Sequence, residues 1–207
     1  MLEGYVSEKE QLEAIGKWWK EHGKPLLVAV VIGLALGITW RFWHKLGIQR
    51  AQNASMLYQQ VLQADSQNNF KKAEGGIDLL MQHYSSTPYA TTGALLYAKE
   101  ALLQNQLSVA LEKLQWVIDH SALPRFKEMA RINAARILLS QGKSADALTQ
   151  LKTTDDKSFL PLVAWVKGDI FTAQGDTKKA QENYSKAKEG LADFPPAQAM
   201  LTQLSAS

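Results

Sequence analysis

The hydrophobic and polar positions divide the chain into one long apolar run and a series of shorter amphipathic segments. The run extends from Pro25 to Trp43 and carries no charged residue before Arg41. As a helix, its uncharged part is about 24 Å long, and continuation to Trp43 brings it to about 28 Å. Because this is close to the roughly 30 Å hydrocarbon core of a bilayer, we predict a transmembrane helix over residues 25–43.

A buried core helix is the alternative for this run, since the run is shorter than a typical span. A core helix of a soluble protein normally keeps a polar face, however. In the uncharged part of this run the only polar residue is Thr39, which argues against the core-helix alternative. The aromatic and basic residues at its far end favour the membrane, where Trp40 and Trp43 would lie at headgroup level and Arg41 would extend outward. A cleaved signal peptide is disfavoured, because a long Glu-rich segment of mixed charge precedes the run.

The segment before the run, residues 1–24, is polar and predicts an amphipathic helix over residues 7–22. Ser7 and Glu10 fit a capping box at its start, and Gly23 followed by Pro25 predicts its end. Its apolar positions recur at helical spacing: Leu12, Ile15, Trp18 and Trp19. We expect this helix to lie in the membrane interface with Trp18 and Trp19 as anchors; packing on a neighbouring protein is the alternative.

Residues 44–207 are predicted to form a succession of helices and contain an internal repeat. Small residues recur at Ala73, Ala110, Ala147 and Ala180, spaced by 37, 37 and 33 positions. A turn residue stands five positions before each of them (Asn68, Asn105, Gly142, Gly175), and a larger residue four positions after (Ile77, Leu114, Leu151, Tyr184). Small residues let paired helices approach closely, so the pattern predicts an all-α, tetratricopeptide-like solenoid. Residues 196–205 are expected to form its closing helix.

Composition narrows the function to binding. A net charge of +3 does not suggest a nucleic-acid partner, and the absence of cysteine excludes disulfides and thiolate metal sites. The four histidines are scattered, with His83 and His120 at predicted helix ends, and Asp155 and Asp156 fall in a predicted solvated loop. No sequence pattern marks a nucleophile, a phosphate loop or a metal site. We therefore expect neither an enzyme nor a bound cofactor.

In tetratricopeptide repeats, the first helix of each unit lines a concave groove. That register assigns to the groove Tyr58, Leu62, Leu95, Lys99, Ile132, Arg136, Trp165 and Asp169. These mixed side chains suit an extended peptide or a partner helix, and Trp165 is the best single anchor candidate. For Leu62, Leu95 and Ile132, a place in the core of imperfect repeats is an equally good interpretation.

Two motifs give the chain a family resemblance. The motif Glu13-Ala-Ile-x-x-Trp-Trp-Lys-x-x-Gly-Lys precedes the apolar run, and Gly37-x-x-Trp-Arg-Phe-Trp ends it. The chain resembles the YfgM family of ancillary subunits of the bacterial SecYEG translocon. Over the first fifty residues the resemblance rests on these specific motifs, and over the rest of the chain it rests on architecture and overall length. The resemblance implies a cytoplasmic N-terminus, one inner-membrane span and a periplasmic repeat domain. It also implies association with SecYEG and with a membrane-anchored periplasmic chaperone of the prolyl-isomerase type.

Charge alone does not give the orientation, because the nearest basic residues are balanced, with Lys17, Lys20 and Lys24 on one side of the apolar run and Arg41, Lys45 and Arg50 on the other. With the resemblance, we expect a single-pass inner-membrane adaptor that holds a chaperone or unfolded polypeptide near the channel exit. A membrane-anchored scaffold for another envelope assembly, in division or secretion, is the alternative function.

Overall fold

The computed structural model describes residues 8–191, which contain eight α-helices and no β-strand. The predicted all-α fold is confirmed. The chain divides into two compact units, Met1–Arg50 and Ala51–Ser207. The first helix, α1 (Glu8–Ser66), contributes to both units, and all the other helices belong to the second.

Helix α1 continues through the position where the sequence predicted a break. Pro25 lies inside it, so the predicted helix end at Gly23 is wrong. A proline inside a helix removes one backbone hydrogen bond, and good helix formers such as Lys24, Leu26 and Leu27 surround this one. The loss stays local, and the helix runs on without a second start. Ser7 of the predicted capping box lies outside the described residues.

The second unit consists of paired helices of ordinary length. After the end of α1 come α2 (Phe70–His83), α3 (Pro88–Leu103), α4 (Leu107–His120), α5 (Pro124–Ser140), α6 (Ser144–Gln150), α7 (Leu160–Ala173) and α8 (Thr177–Leu191). A short 3-10 turn, Lys157–Phe159, precedes α7. Helices α3 and α5 begin at a proline and α7 has one at its second position, where a missing N–H costs nothing. The predicted closing helix, 196–205, lies outside the described residues.

The turn inside each helix pair has the same backbone conformation. The four predicted turn residues have positive φ: 56° at Asn68, 59° at Asn105, 74° at Gly142 and 77° at Gly175. At each turn, the N–H of the next residue donates to the carbonyl five positions earlier, as Asp176 does to Phe171 at 2.9 Å. This closes the helix by a Schellman motif, which explains why only glycine and asparagine occupy these positions.

The repeated small residues lie where the helices pack. Ala73, Ala110, Ala147 and Ala180 are between 0% and 4% exposed. The larger residues four positions later, Ile77, Leu114 and Leu151, are at most 2% exposed, and Tyr184 is half-buried. From α2 to α8, successive helices contact one another, and α5 also contacts α7. The core of the second unit is therefore a row of small clusters between successive helices, as the repeat predicted.

Candidate functional site

The predicted groove residues all lie on the first helix of a pair. The pairs are α1 with α2, α3 with α4, α5 with α6, and α7 with α8. Tyr58 and Leu62 belong to α1, Leu95 and Lys99 to α3, Ile132 and Arg136 to α5, and Trp165 and Asp169 to α7. Their exposure differs widely. Leu62 is 42% exposed, Lys99 and Arg136 are exposed, and Tyr58, Leu95 and Asp169 are half-buried. Together these six side chains offer a mixed aliphatic, aromatic and charged surface.

Ile132 and Trp165 are buried instead, with exposed fractions of 6% and 8%. Ile132 belongs to the cluster between α5, α6 and α7, so the core interpretation holds for this residue. Trp165 packs with Ala164, Ala187 and Leu191 in the last helix pair. The alanines leave room for the indole, and burial of so large an apolar surface is favourable. Trp165 therefore contributes to the packing of the last helix pair, and its role as a binding anchor stays a prediction.

Asp169 forms the centre of a polar network at one end of this surface. The Tyr184 hydroxyl donates to Asp169 Oδ1 at 2.8 Å and lies 3.2 Å from Thr172 Oγ1. Desolvation raises the pKa of Asp169, while the hydrogen bond from Tyr184 and the positive charge of Arg136 act against that rise. Burial likewise raises the pKa of Tyr184. Arg136 and Asp169 thus act on one another electrostatically across α5 and α7, and Arg136 remains exposed for a ligand.

An aromatic pair marks the first repeat. The rings of Tyr58 on α1 and Tyr89 on α3 have centroids 5.9 Å apart and are inclined at 44°. Tyr89 was not predicted as a site residue, because its contact with Tyr58 depends on how two helices pack. An aromatic pair of this kind offers flat apolar area and two hydroxyls to a peptide.

A buried lysine, Lys113 on α4, contacts residues of α2 and α3. The Lys113 ammonium lies 4.7 Å from the centre of the Tyr97 ring, 3.5 Å from Asp78 and 3.2 Å from Glu112. Its side chain is only 11% exposed. Lys113 therefore holds α2, α3 and α4 together and is not available as a surface charge.

A second cluster, which the sequence did not predict, fixes the loop after α6. Glu128 is fully buried on α5, and its Oε2 accepts the Asp155 N–H at 2.9 Å. Arg131 bonds the Asp155 carboxylate at 2.7 Å. Glu128 Oε1 and Arg131 Nε are buried with no hydrogen-bond partner in the structure. Asp155 is thus tied to α5 by both its backbone and its side chain, rather than belonging to a freely solvated loop.

The histidines and acidic residues lie apart from one another over much of the described range, residues 8–191. No three of them gather as a group that could hold a metal ion in that range. His83 and His120 are the last residues of α2 and α4, as predicted. The His120 ring stacks on Trp116, and its Nδ1 lies 2.9 Å from the Trp116 carbonyl oxygen. His120 therefore pairs with a backbone carbonyl in the last turns of α4.

The first unit presents an unburied apolar helix. Among the described residues, one stretch is long and apolar enough to cross a membrane, with a mean hydropathy of 2.0 and no burial. The predicted interface residues are also open: Trp40 and Trp43 are 78% and 75% exposed, Arg41 is exposed, and Trp18 and Trp19 are each 51% exposed. Trp18 stacks on His22, with ring centroids 5.5 Å apart.

An apolar N-terminal helix in the same chain as a row of short helix pairs defines the class of membrane-associated helical-repeat proteins. A family model described as a tetratricopeptide repeat-like domain matches residues 16–205, and the chain belongs to this family. The fold predicted from the repeat is thereby confirmed.

The chain is also similar to curated relatives that carry one name, ancillary SecYEG translocon subunit. It is 24% identical to the Escherichia coli protein over 98% of this chain and 97% of the relative. The identity is 26% to the Haemophilus influenzae protein, over 89% and 90%, and 27% to the Neisseria gonorrhoeae protein, over 92% and 91%. The resemblance to the YfgM family is confirmed by these matches, which extend over nearly the whole chain.

Proposed function

We propose that this protein is an inner-membrane adaptor of the SecYEG translocon. The observation that carries the proposal is the near full-length similarity to relatives named as translocon subunits. The open apolar helix supports membrane anchoring, since it meets the length and hydropathy that a span requires. Residues 1–24 would be cytoplasmic, residues 25–43 would span the membrane and residues 44–207 would form the periplasmic domain.

The repeat domain would act by binding a membrane-anchored chaperone of the prolyl-isomerase type or an emerging polypeptide. Its exposed first-helix residues, Lys99 and Arg136 among them, offer charge, and the Tyr58–Tyr89 pair offers aromatic surface. Anchoring a binding domain in the same membrane as its partner raises the effective concentration of each. Weak contacts along the helices would then be sufficient.

Affinity purification of the full chain from membranes in mild detergent tests this proposal. We expect SecY, SecE and SecG in stoichiometric amounts, together with a periplasmic chaperone. Charge reversal by Arg136→Glu should reduce recovery of the chaperone severalfold, whereas Lys188→Glu, an exposed change on α8, should not. Recovery of a different envelope complex without SecYEG would overturn the translocon assignment in favour of the scaffold.

The proposed orientation is testable because the chain contains no cysteine. Lys17→Cys and Lys178→Cys each introduce one thiol at an exposed position, on either side of the span. In cells with a permeabilised outer membrane, a membrane-impermeant maleimide should label the Lys178→Cys protein and leave the Lys17→Cys protein unlabelled. Detergent lysis should then expose both thiols. Labelling of the Lys17→Cys protein alone before lysis would mean that the orientation is inverted.

A further inference from the structure

The second unit contains a cleft that the proposed adaptor function does not use. It lies where the end of α1, the start of α2 and the end of α3 meet, and has a volume of about 60 Å³. Its floor is apolar and buried, formed by Ala73, Ile77 and Ala101. Phe70 also lines it and is 40% exposed. None of the predicted groove residues lines this cleft, so it is a separate surface.

The charged residues that line this cleft are all acidic. Asp65, Glu74 and Glu100 line it, and no lysine, arginine or histidine does. Lys72, which is near Glu74 in sequence, lines a different hollow beside Leu57. This local excess contrasts with the net positive charge of the chain.

The three carboxylates have little internal compensation. The Glu100 side chain is only 16% exposed, and its salt-bridge partner is Lys99 at 3.2 Å, whose own side chain is 65% exposed. In the part of the chain that the structure describes, neither Asp65 nor Glu74 forms a salt bridge. A surface ion pair such as that of Lys99 with Glu100 contributes little and is readily exchanged. The cleft therefore keeps a net attraction for a cation.

The combination of an apolar floor and an acidic rim fits a long basic side chain. The aliphatic stem of such a side chain covers apolar surface, while its charged end reaches the polar edge. An arginine suits this cleft better than a lysine, because its planar guanidinium donates to several carboxylates at once. The exposed ring of Phe70 offers a further face for the guanidinium, whereas Lys113 already lies against the ring of Tyr97.

We propose that this cleft is a docking site for an arginine side chain in an extended segment of a partner polypeptide. Asp65, Glu74 and Glu100 surround the guanidinium, and the stem lies on the floor formed by Ala73, Ile77 and Ala101. The site adds a charge-specific contact that involves none of the predicted groove residues. It depends neither on the identity of the membrane partner nor on the orientation of the chain.

Fluorescence anisotropy with the full chain in mild detergent tests this proposal. The probe is a fluorescein-labelled peptide, Gly-Ala-Leu-Arg-Leu-Ala-Gly, and its matched control has citrulline in place of arginine, which keeps the shape and removes the charge. We expect saturable binding of the arginine peptide that weakens at higher salt. The citrulline peptide should bind at least tenfold more weakly. Equal affinity for the two peptides, or no saturable binding up to millimolar concentration, would overturn the proposal.

Variants locate the binding to the cleft. The double substitution Glu74→Gln and Glu100→Gln should weaken the arginine peptide at least tenfold. The exposed substitution Glu182→Gln on α8 should leave its affinity unchanged. Gln104→Lys places a positive charge at the rim without removing a carboxylate, so it should also weaken binding in a chain of unchanged helix content. Wild-type affinity in the double variant and in Gln104→Lys would contradict the proposed site.

Discussion

Substitution of Gly168 by alanine should destabilise the last helix pair, although alanine is the better helix former. A Cβ at Gly168 would lie 2.5 Å and 2.6 Å from two carbons of the Tyr184 ring, far inside van der Waals contact. The ring cannot move away freely, since its hydroxyl donates to Asp169. Overpacking of this kind costs about 1–3 kcal/mol. We expect it to exceed the helix-propensity gain of about 1 kcal/mol.

Gly75 provides the matched control for this prediction. It lies inside α2, and a Cβ added there would meet no atom within 4 Å. Gly75→Ala should therefore stabilise the chain by about 0.5–1 kcal/mol. Urea unfolding of both variants in detergent, followed by circular dichroism, measures the two effects. Equal stabilisation by both substitutions would show that α7 and α8 do not pack closely at Gly168.

A second substitution separates crowding from other causes. Tyr184→Leu removes the ring that the new methyl group would meet, at the cost of its hydrogen bond to Asp169. In the Tyr184→Leu background, Gly168→Ala should lose most of its destabilising effect. This gives a coupling free energy of about 1 kcal/mol or more in a double-mutant cycle. An unchanged cost of Gly168→Ala in that background would place its cause elsewhere than in the Tyr184 ring.

Local rules explain why so much of the repeat could be predicted from the sequence. A helix end that requires positive φ selects glycine or asparagine, so the residue type alone indicates where such a helix ends. The four positions with this conformation are Asn68, Asn105, Gly142 and Gly175. The fixed spacing to a buried alanine then follows from the helical period. These features need no knowledge of which helix packs on which.

Features that depend on two helices were not predicted from the sequence. Glu128 looks like an ordinary surface glutamate until the loop carrying Asp155 folds onto α5. The burial of Trp165 likewise depends on α8, whose Ala187 and Leu191 pack against it. The groove assignment remains a prediction for the same reason: it rests on the register of the first helices, and binding depends on a partner's surface. Pro25 shows a different limit, since a proline that usually ends helices lies inside α1.

Loss of the buried Glu128 carboxylate should have the largest effect on the stability of the repeat domain. Glu128→Ala removes the acceptor for the Asp155 N–H and the negative charge beside Arg131, and it leaves a void in the core. Removal of one partner from a buried, hydrogen-bonded set typically costs about 2–4 kcal/mol. We expect a loss of that size in urea unfolding, compared with little change for the exposed control Glu182→Gln.

The pH dependence of the free energy of unfolding should report the ionisation of Glu128. Desolvation raises the pKa of Glu128 above its ordinary value, against the opposing effects of the Asp155 hydrogen bond and Arg131. Between the ordinary pKa and the raised one, the folded chain binds more protons than the unfolded chain. The free energy of unfolding contributed by Glu128 therefore falls as the pH rises through this window.

Glu128→Gln isolates this contribution, because its amide oxygen still accepts the Asp155 N–H but does not titrate. The free energy of unfolding of the wild type, minus that of Glu128→Gln, should decrease as the pH is raised from 4 toward neutrality. Taking the difference cancels other carboxyls with raised pKa values, Asp169 among them. A difference that stays constant with pH would mean that Glu128 is ionised as readily in the folded chain as in the unfolded one. Its burial would then be fully compensated by Arg131 and the Asp155 backbone.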